Sequence, residues 1–570
     1  MMKKLTNKRL LTLLMIFLLL CSLNQVTAKA ERTLSSKGVK TNNYGSNNYA
    51  TWSAPIFSHL YQNADGTYTR IENHSPKLIR ETYDSKFRLI SKKKINRELE
   101  DFGGFYAGKD ANYLVFGASN AKQSNSKEVY RIVKYSKNWV RLGSCSLRGA
   151  NTKDPFYAGS LRFAEANNKL YIRTCHEMYK SKDGYCHQAS VMIEVDTEKM
   201  KITDSHTSVS WIGAGYVSHS FNQFIKVDGT DLLAVDHGDA YPRGIALIKY
   251  DQKAGEETFT DDGCESKVVL KFKGEIGQNS TGASVGGFEA SASSYLIAGN
   301  NTKNGTRNIF ISVTPKADFQ KQASQTIYLT NYTSKKSQDP STPHLVKISE
   351  NRFMLLWREG DEEESYVRYV LLDGTGKKLT KIHSMRGELS DCTPIVSGNK
   401  IVWYYTKEGS PIFCTIPVNG SKTKDNMILG DQIVIKGFTY VIEKNRKKAH
   451  EVGVKSIDTG KRTTLTVPDK IKYKGITYQV TTMKANAFSN YNDKLKTVVL
   501  GKNIKTLEHD FLPAWNQLKT LKIKSTKISK VEKNAFSYQY GLKIKVPKSK
   551  VKDYKKRFNG KGQGSITITN

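Results

Sequence analysis

The stretch "LLAVDHGDAYPRGIALIKYD", Leu232–Asp251, holds two short apolar runs on either side of a polar segment. Runs of four to six apolar residues bounded by Gly, Asp and Pro are too short for helices and read as two strands joined at a turn. The same unit recurs along the chain. It appears as "NYLVFGASN" with "VYRIVKYS", "KLYIRTCHEM" with "SVMIEVDT", and "SYLIAGNNTKNGTRN" with "IFISVTP". It continues as "RFMLLWREGDEEES" with "YVRYVLLDGTG" and "KIVWYYTKEGS" with "PIFCTIPV". The anchors Tyr113, Tyr171, Leu232, Tyr295, Phe353 and Ile401 are 48 to 63 residues apart, and a weaker seventh unit lies upstream at "TYTRIENHSPKLIRETYD".

Antiparallel units of three or four strands at such a period predict a β-propeller over residues 50–420, with seven blades favoured over six. Each blade buries a face on the next, and closing the ring removes exposed edges. Two packed sandwiches would give similar strands but no reason for the period. The fold class expected is therefore mainly β. Residues 31–49 carry no such pattern and are expected to form a flexible N-terminal segment.

A second, clearer repeat follows Asp431. "VTTMKANAFSNYNDKLKTVVLG", "IKTLEHDFLPAWNQLKTLKIK" and "ISKVEKNAFSYQYGLKIKVP" align with Val480, Ile504 and Ile528 spaced by 24, while Phe488, Phe511 and Phe536 are spaced by 23 and 25. A short strand per turn at this period predicts a leucine-rich-repeat solenoid over 431–570. Within "LKTLKIK", Leu518, Leu521 and Ile523 can point inward while Lys519, Lys522 and Lys524 point to solvent.

Residues Asp431–Phe558, with "ANAFSNYNDKLKTVVLGKNIKTL" and "KNAFSYQYGLKIKVP", resemble the BspA-like leucine-rich repeats of bacterial surface proteins, preceded by a β-rich lead-in. The resemblance implies an extracellular location and protein or glycan binding of the adhesion type. The array departs from the family in its shortness and in "HDFLPAW", which stands in place of "NAF".

The first thirty residues, a basic leader before an apolar run from Leu10 to Leu23 with Ala28 and Ala30 after it, read as a cleavable export signal. No later segment is apolar enough to span a membrane. The expected location is secreted, with any retention at the cell surface non-covalent. The 89 Lys and Arg against 53 Asp and Glu give a net charge of +36. More than half of that excess lies after residue 430. An exported protein so basic favours an anionic cell-wall polymer, a glycan or a host or other extracellular protein, and not nucleic acid. Six cysteines follow the signal, compatible with three disulfides, Cys175–Cys186 and Cys392–Cys414 first, or with six free thiols.

His176 and His237 end the same strand of neighbouring units, which places them on one rim of a propeller. His187, His219, Asp236, Asp239 and Arg243 lie near them in sequence. Together they are the candidate ligand-binding residues, able to hold a sugar with carboxylate and guanidinium help. No cofactor is expected, a divalent metal on the imidazoles being the exception the pattern allows. The bland alternative is a tight turn with capping aspartates and histidines satisfying buried carbonyls. Lys519, Lys522 and Lys524 are the candidate anion-binding face. There is no GxSxG, HExxH or phosphate loop, so no catalytic residue is assigned. The function expected is non-catalytic binding of a glycan or protein; the alternative is a carbohydrate-active propeller enzyme, hydrolase or lyase, with a histidine-bearing rim.

Overall fold

The structure, a computed structural model, describes residues 31–41, 54–217, 221–251, 258–259, 264–336, 338–360, 365–423, 425–446, 449–488, 492–512, 515, 517–536, 538–562 and 564–570. The expected export signal and His219 lie outside the described residues. The chain forms two compact units, the first ending at Asp425 and the second spanning Asn426–Asn570.

The first unit is a seven-bladed β-propeller. Its blades are antiparallel sheets, each of four strands apart from an additional short strand in the third. The innermost strands are Ser58–Gln62, Asp101–Ala107, Arg162–Ala166, Phe224–Asp228, Ala283–Ala290, His344–Ser349 and Ile395–Ser397. The anchors Tyr113, Tyr171, Leu232, Tyr295, Phe353 and Ile401 all open second strands and are all buried, as is Tyr68 in the weaker first unit. These strands read as continuous apolar runs because blades cover them on both faces: every residue of Ala111–Gly117 is buried. Outermost strands face water, and Leu89–Asn96 carries Lys92, Lys93 and Lys94 there. Lysines on such an edge oppose pairing with another chain.

Of the segment 31–49 expected to be a flexible lead-in, residues 31–41 are described and part of them joins the ring; residues 42–49 lie outside the described residues. Glu31–Leu34 is a strand, the outermost of the seventh blade, paired antiparallel with Ser410–Pro417 from Glu31↔Thr415 to Leu34↔Ile412. Four residues are too few to show periodicity, and only the ring gives them a partner. Buried polar contacts hold the same seam. Arg70 donates to Glu81 and Glu72, both at 2.6 Å, and to the Thr41 hydroxyl at 2.9 Å, while Tyr404 of the seventh blade donates to Glu72 at 2.9 Å.

The second unit is a solenoid whose coils stack in parallel in two sheets, one of which begins with the antiparallel lead-in strands Gln432–Ile435, Phe438–Arg446 and Ala449–Ile457. The other sheet stacks Thr464–Thr466, Thr497–Leu500, Thr520–Ile523, Gln539–Lys545 and Gly564–Thr569, so a coil precedes and a coil follows the three repeats visible in sequence. Leu518, Leu521 and Ile523 are buried and Lys519, Lys522 and Lys524 exposed, as expected. The uneven phenylalanine spacing has a backbone cause. Asn486, Asp510 and Asn534 each take a left-handed φ of 49° to 60° and bond one to the next, Asn486 N–H to the Asp510 carbonyl and Asp510 N–H to that of Asn534. Asn and Asp tolerate this conformation best among residues with a Cβ. The corner thus keeps the period of 24, and Phe511 shifts by one instead. Helix Val551–Phe558 buries Tyr554 and Phe558 against the last coil.

The six cysteines after the expected signal are thiols, not disulfides. Cys175 lies opposite Ser190 on the adjacent strand, four residues and about 14 Å along the sheet from Cys186. A disulfide needs Cα atoms within about 7 Å.

Candidate ligand-binding mouth of the propeller

The stretch Leu232–Asp251 forms the second and third strands of the fourth blade, paired from Leu232↔Tyr250 to Asp239↔Arg243. Ala240, Tyr241 and Pro242 form its tip. Arg243 anchors that tip: its guanidinium donates to the carbonyls of Asp239, Lys273, Gln278 and Ser280 at 2.6–3.1 Å. Burial pushes the Asp239 carboxyl above its ordinary value. Asp236 is fully buried in a two-point ion pair with Arg173 of the third blade.

The two histidines on equivalent strands are also buried. His176 shares a 2.6 Å hydrogen bond between Nδ1 and the Thr152 hydroxyl, and burial, with His206 adding, pushes it down to about 3. His237 bonds through Nε2 to the Thr281 hydroxyl at 2.8 Å, with Phe221 and Phe272 edge-on to its ring. His187 is different: it is half exposed at the tip of the third blade, with Nε2 2.6 Å from Asp183. Among the described residues, no three His, Cys, Asp or Glu side chains come together as a metal site.

Strand direction decides what shares a rim. Each innermost strand runs away from the face that carries the tips between second and third strands, and the connections between blades arrive at that same face. Five large aromatic side chains are exposed in the described propeller, and all five are on it. Phe57 and Tyr157 precede the innermost strands of the first and third blades. Trp211, 67% exposed, sits on the hairpin Ser210–Val217 between the third and fourth blades. Tyr185, 71% exposed, and Tyr241, 51%, occupy the tips of the third and fourth. Gly215 brings the Trp211 hairpin onto the Tyr241 tip, where an added Cβ would lie 3.1 Å from the Tyr241 carbonyl oxygen.

Below this rim, polar residues at the starts of innermost strands link blade to blade. Ser160 donates to Asn222 Oδ1 at 2.8 Å, and Asn222 Nδ2 to the Val285 carbonyl. Thr342 donates to the Ser284 hydroxyl at 2.7 Å, His344 Nε2 to the Ser390 carbonyl at 2.9 Å, and Phe57 N–H to Asp391 at 2.7 Å.

The central channel, about 370 Å³, is lined by all seven blades. Arg162 projects into it, bonded to the Gln223 carbonyl and Asn222 Oδ1, both at 3.1 Å, with its guanidinium 4.3 Å from the centre of the Phe224 ring. Burial, reinforced by the Arg162 charge against a backbone hydrogen bond, pushes His59 and His344 down to about 4. Each bonds a carbonyl through Nε2, which fixes the proton there and leaves Nδ1 an acceptor. The lining carboxylate, Glu289, is engaged by Lys226 at 2.7 Å.

Sequence alone did not mark Arg162, His59, His344 or the rim aromatics as a set. A signal for the belt does exist: Ser58, Ser160, Asn222, Ser284, Thr342 and Ser390 each stand just before or at the start of an innermost strand.

No family model and no curated protein matches the chain. Solved structures resemble it at a distance. An uncharacterised protein of Listeria monocytogenes EGD-e is 12% identical, with a TM-score of 0.36 over 69% of this chain and 98% of that one. A leucine-rich cell-surface protein of Faecalibacterium prausnitzii A2-165 is 15% identical, with a TM-score of 0.15 over 24% and 32%. The α-L-arabinofuranosidase of Podospora anserina is 7% identical, with a TM-score of 0.27 over 45% and 90%. Likeness at this level carries nothing about ligand or chemistry.

Proposed function

We propose that the protein is a non-catalytic, extracellular binding protein of the adhesion type, with a BspA-like repeat array, and that its propeller holds a glycan or protein partner on the aromatic rim. The confinement of all five exposed propeller aromatics to one face carries this reading. Trp and Tyr dominate binding hot spots because they offer large, stiff, amphipathic surface, and exposed apolar side chains gathered on one face mark interaction sites. The polar belt beneath holds that face rigid, which lowers the ordering cost of binding.

Binding is favoured over glycoside hydrolysis by the channel's chemistry. Hydrolysis uses two carboxylates flanking the bond, whereas Glu289 is tied to Lys226. The test is a glycan array and an extracellular-protein capture run with the full chain and a Trp211→Ala/Tyr241→Ala variant of equal melting temperature. Binding lost in the variant supports the rim. Unchanged binding, or turnover of a bound glycan, overturns the reading.

A further inference from the structure

The solenoid presents a second surface, independent of the rim, in which charge is sorted between its two sheets. Along one sheet, lysines and acids alternate as ion pairs. Lys484 meets Glu508 at 2.6 Å and Glu443 at 3.3 Å, Lys505 meets Glu451 at 2.9 Å, and Lys530 meets Glu532 at 2.6 Å. The other sheet has no acid in any of its five strands, "TLT", "TVVL", "TLKI", "QYGLKIK" and "GSITIT". Its exposed positions include Thr464, Thr466, Lys522, Lys543, Lys545 and Thr567, beside Tyr540, Ser565 and two glycines.

The register makes the lysines neighbours. Lys522 lies directly opposite Lys545 on the next coil, and Thr520 opposite Lys543. Adjacent parallel strands are about 4.8 Å apart, and alternate residues along a strand about 6.6 Å apart. Lys522 and Lys524 therefore form one row and Lys543 and Lys545 a second beside it, all exposed. Among the described residues, none of the four has a carboxylate within ion-pair distance. Like charges directly opposite across a sheet are destabilising. Lysine on both sides therefore costs the fold something, on the very unit that pairs its charges on the other sheet.

We infer that this two-row lysine face binds a linear polyanion, a chain of repeating phosphate or carboxylate groups lying along the strand direction. The rows match an extended chain because their charges form a narrow stripe. Between them, repeating anions would relieve the repulsion that the fold leaves uncompensated.

The test measures binding of the full chain to fluorescent linear polyphosphate and to polygalacturonate across a salt series, with phosphatidylglycerol vesicles as a third probe. Whichever polymer binds tells phosphate from carboxylate. The Lys522→Ala/Lys543→Ala/Lys545→Ala variant is expected to bind at least tenfold more weakly, with a slope of log affinity against log salt about 2 shallower. Lys92→Ala/Lys93→Ala/Lys94→Ala removes the same charge from the propeller and is expected to leave both unchanged. Equal loss in the two variants would reduce the effect to bulk charge and overturn the inference. So would binding to vesicles alone, or to nothing. Should the alanine variant fold poorly, the triple arginine variant decides: it keeps the charge and is expected to keep binding.

Discussion

Arg173 and Asp236, 63 residues apart in sequence, meet in a two-point ion pair across the junction of the third and fourth blades, with both side chains fully buried. Both lie on second strands, of neighbouring blades. The pair therefore sets how one blade sits on the next, and Asp236, one of the seven candidate ligand-binding residues, is a blade-to-blade joint.

Removing one partner leaves a buried charge unmatched. Asp236→Ala is expected to destabilise the propeller by about 3–5 kcal/mol, whereas Asp236→Leu/Arg173→Met, which removes both charges, recovers most of that. Thermal and urea unfolding of the single and double variants checks it. A single variant as stable as the parent would show that the joint carries little.

Acid acts on buried histidines. His59, His176 and His344 sit near 4, 3 and 4 in the fold against an ordinary 6.5, chiefly because burial disfavours the imidazolium. The unfolded chain then binds more protons than the folded one below 6.5. Their contribution is present above that pH and is lost as pH falls towards 4. Asp391 opposes them: burial raises it to about 6, so its contribution is present at low pH and is lost as pH rises through 6. Three histidines outweigh one carboxyl, and the urea midpoint is expected to fall between pH 7 and pH 4.5. His344→Gln keeps a donor for the Ser390 carbonyl without titrating, and should flatten that fall.

The solenoid corner makes a sharper claim about one residue. Asp510 takes a left-handed φ of 49° in the place that Asn486 and Asn534 hold in the adjoining coils. Asp510→Asn is expected to be neutral, and Asp510→Val to cost about 1–2 kcal/mol, since a β-branched side chain clashes with the backbone there. A melting series over the two variants measures it. Equal melting temperatures would mean that the corner relaxes.

These residues show what was legible in the sequence and what was not. The blade anchors were legible because burial on both faces writes a local signature, a continuous apolar run such as Tyr113–Phe116. The solenoid was legible because each coil repeats one short pattern, down to the lysines of "LKIK". The joint between Arg173 and Asp236 was not, since it depends on which blades touch and in what register. Nor was the rim: Trp211, Tyr185 and Tyr241 stand in three separate stretches of sequence, and only strand direction puts all of them on one face. Glu31–Leu34 was missed for a related reason, its partner strand being nearly four hundred residues away.

That strand offers the last prediction. Glu31–Leu34 covers the outer edge of Ser410–Pro417, where Ile412, Phe413, Cys414 and Ile416 are buried. Thr41 receives a hydrogen bond from Arg70, and Val39 N–H donates to Glu81. A chain that begins after residue 41 would expose an unpaired strand edge beside a buried arginine that has lost a partner. It is expected to melt at lower temperature and to self-associate in light scattering, since an open edge templates pairing with another copy. A synthetic peptide of residues 31–41 added in trans should restore the monomer, because the ring supplies its own template. A truncated chain that stays monomeric and melts with the parent would show that the blade closes with three strands, and that the N-terminal strand is dispensable to the ring.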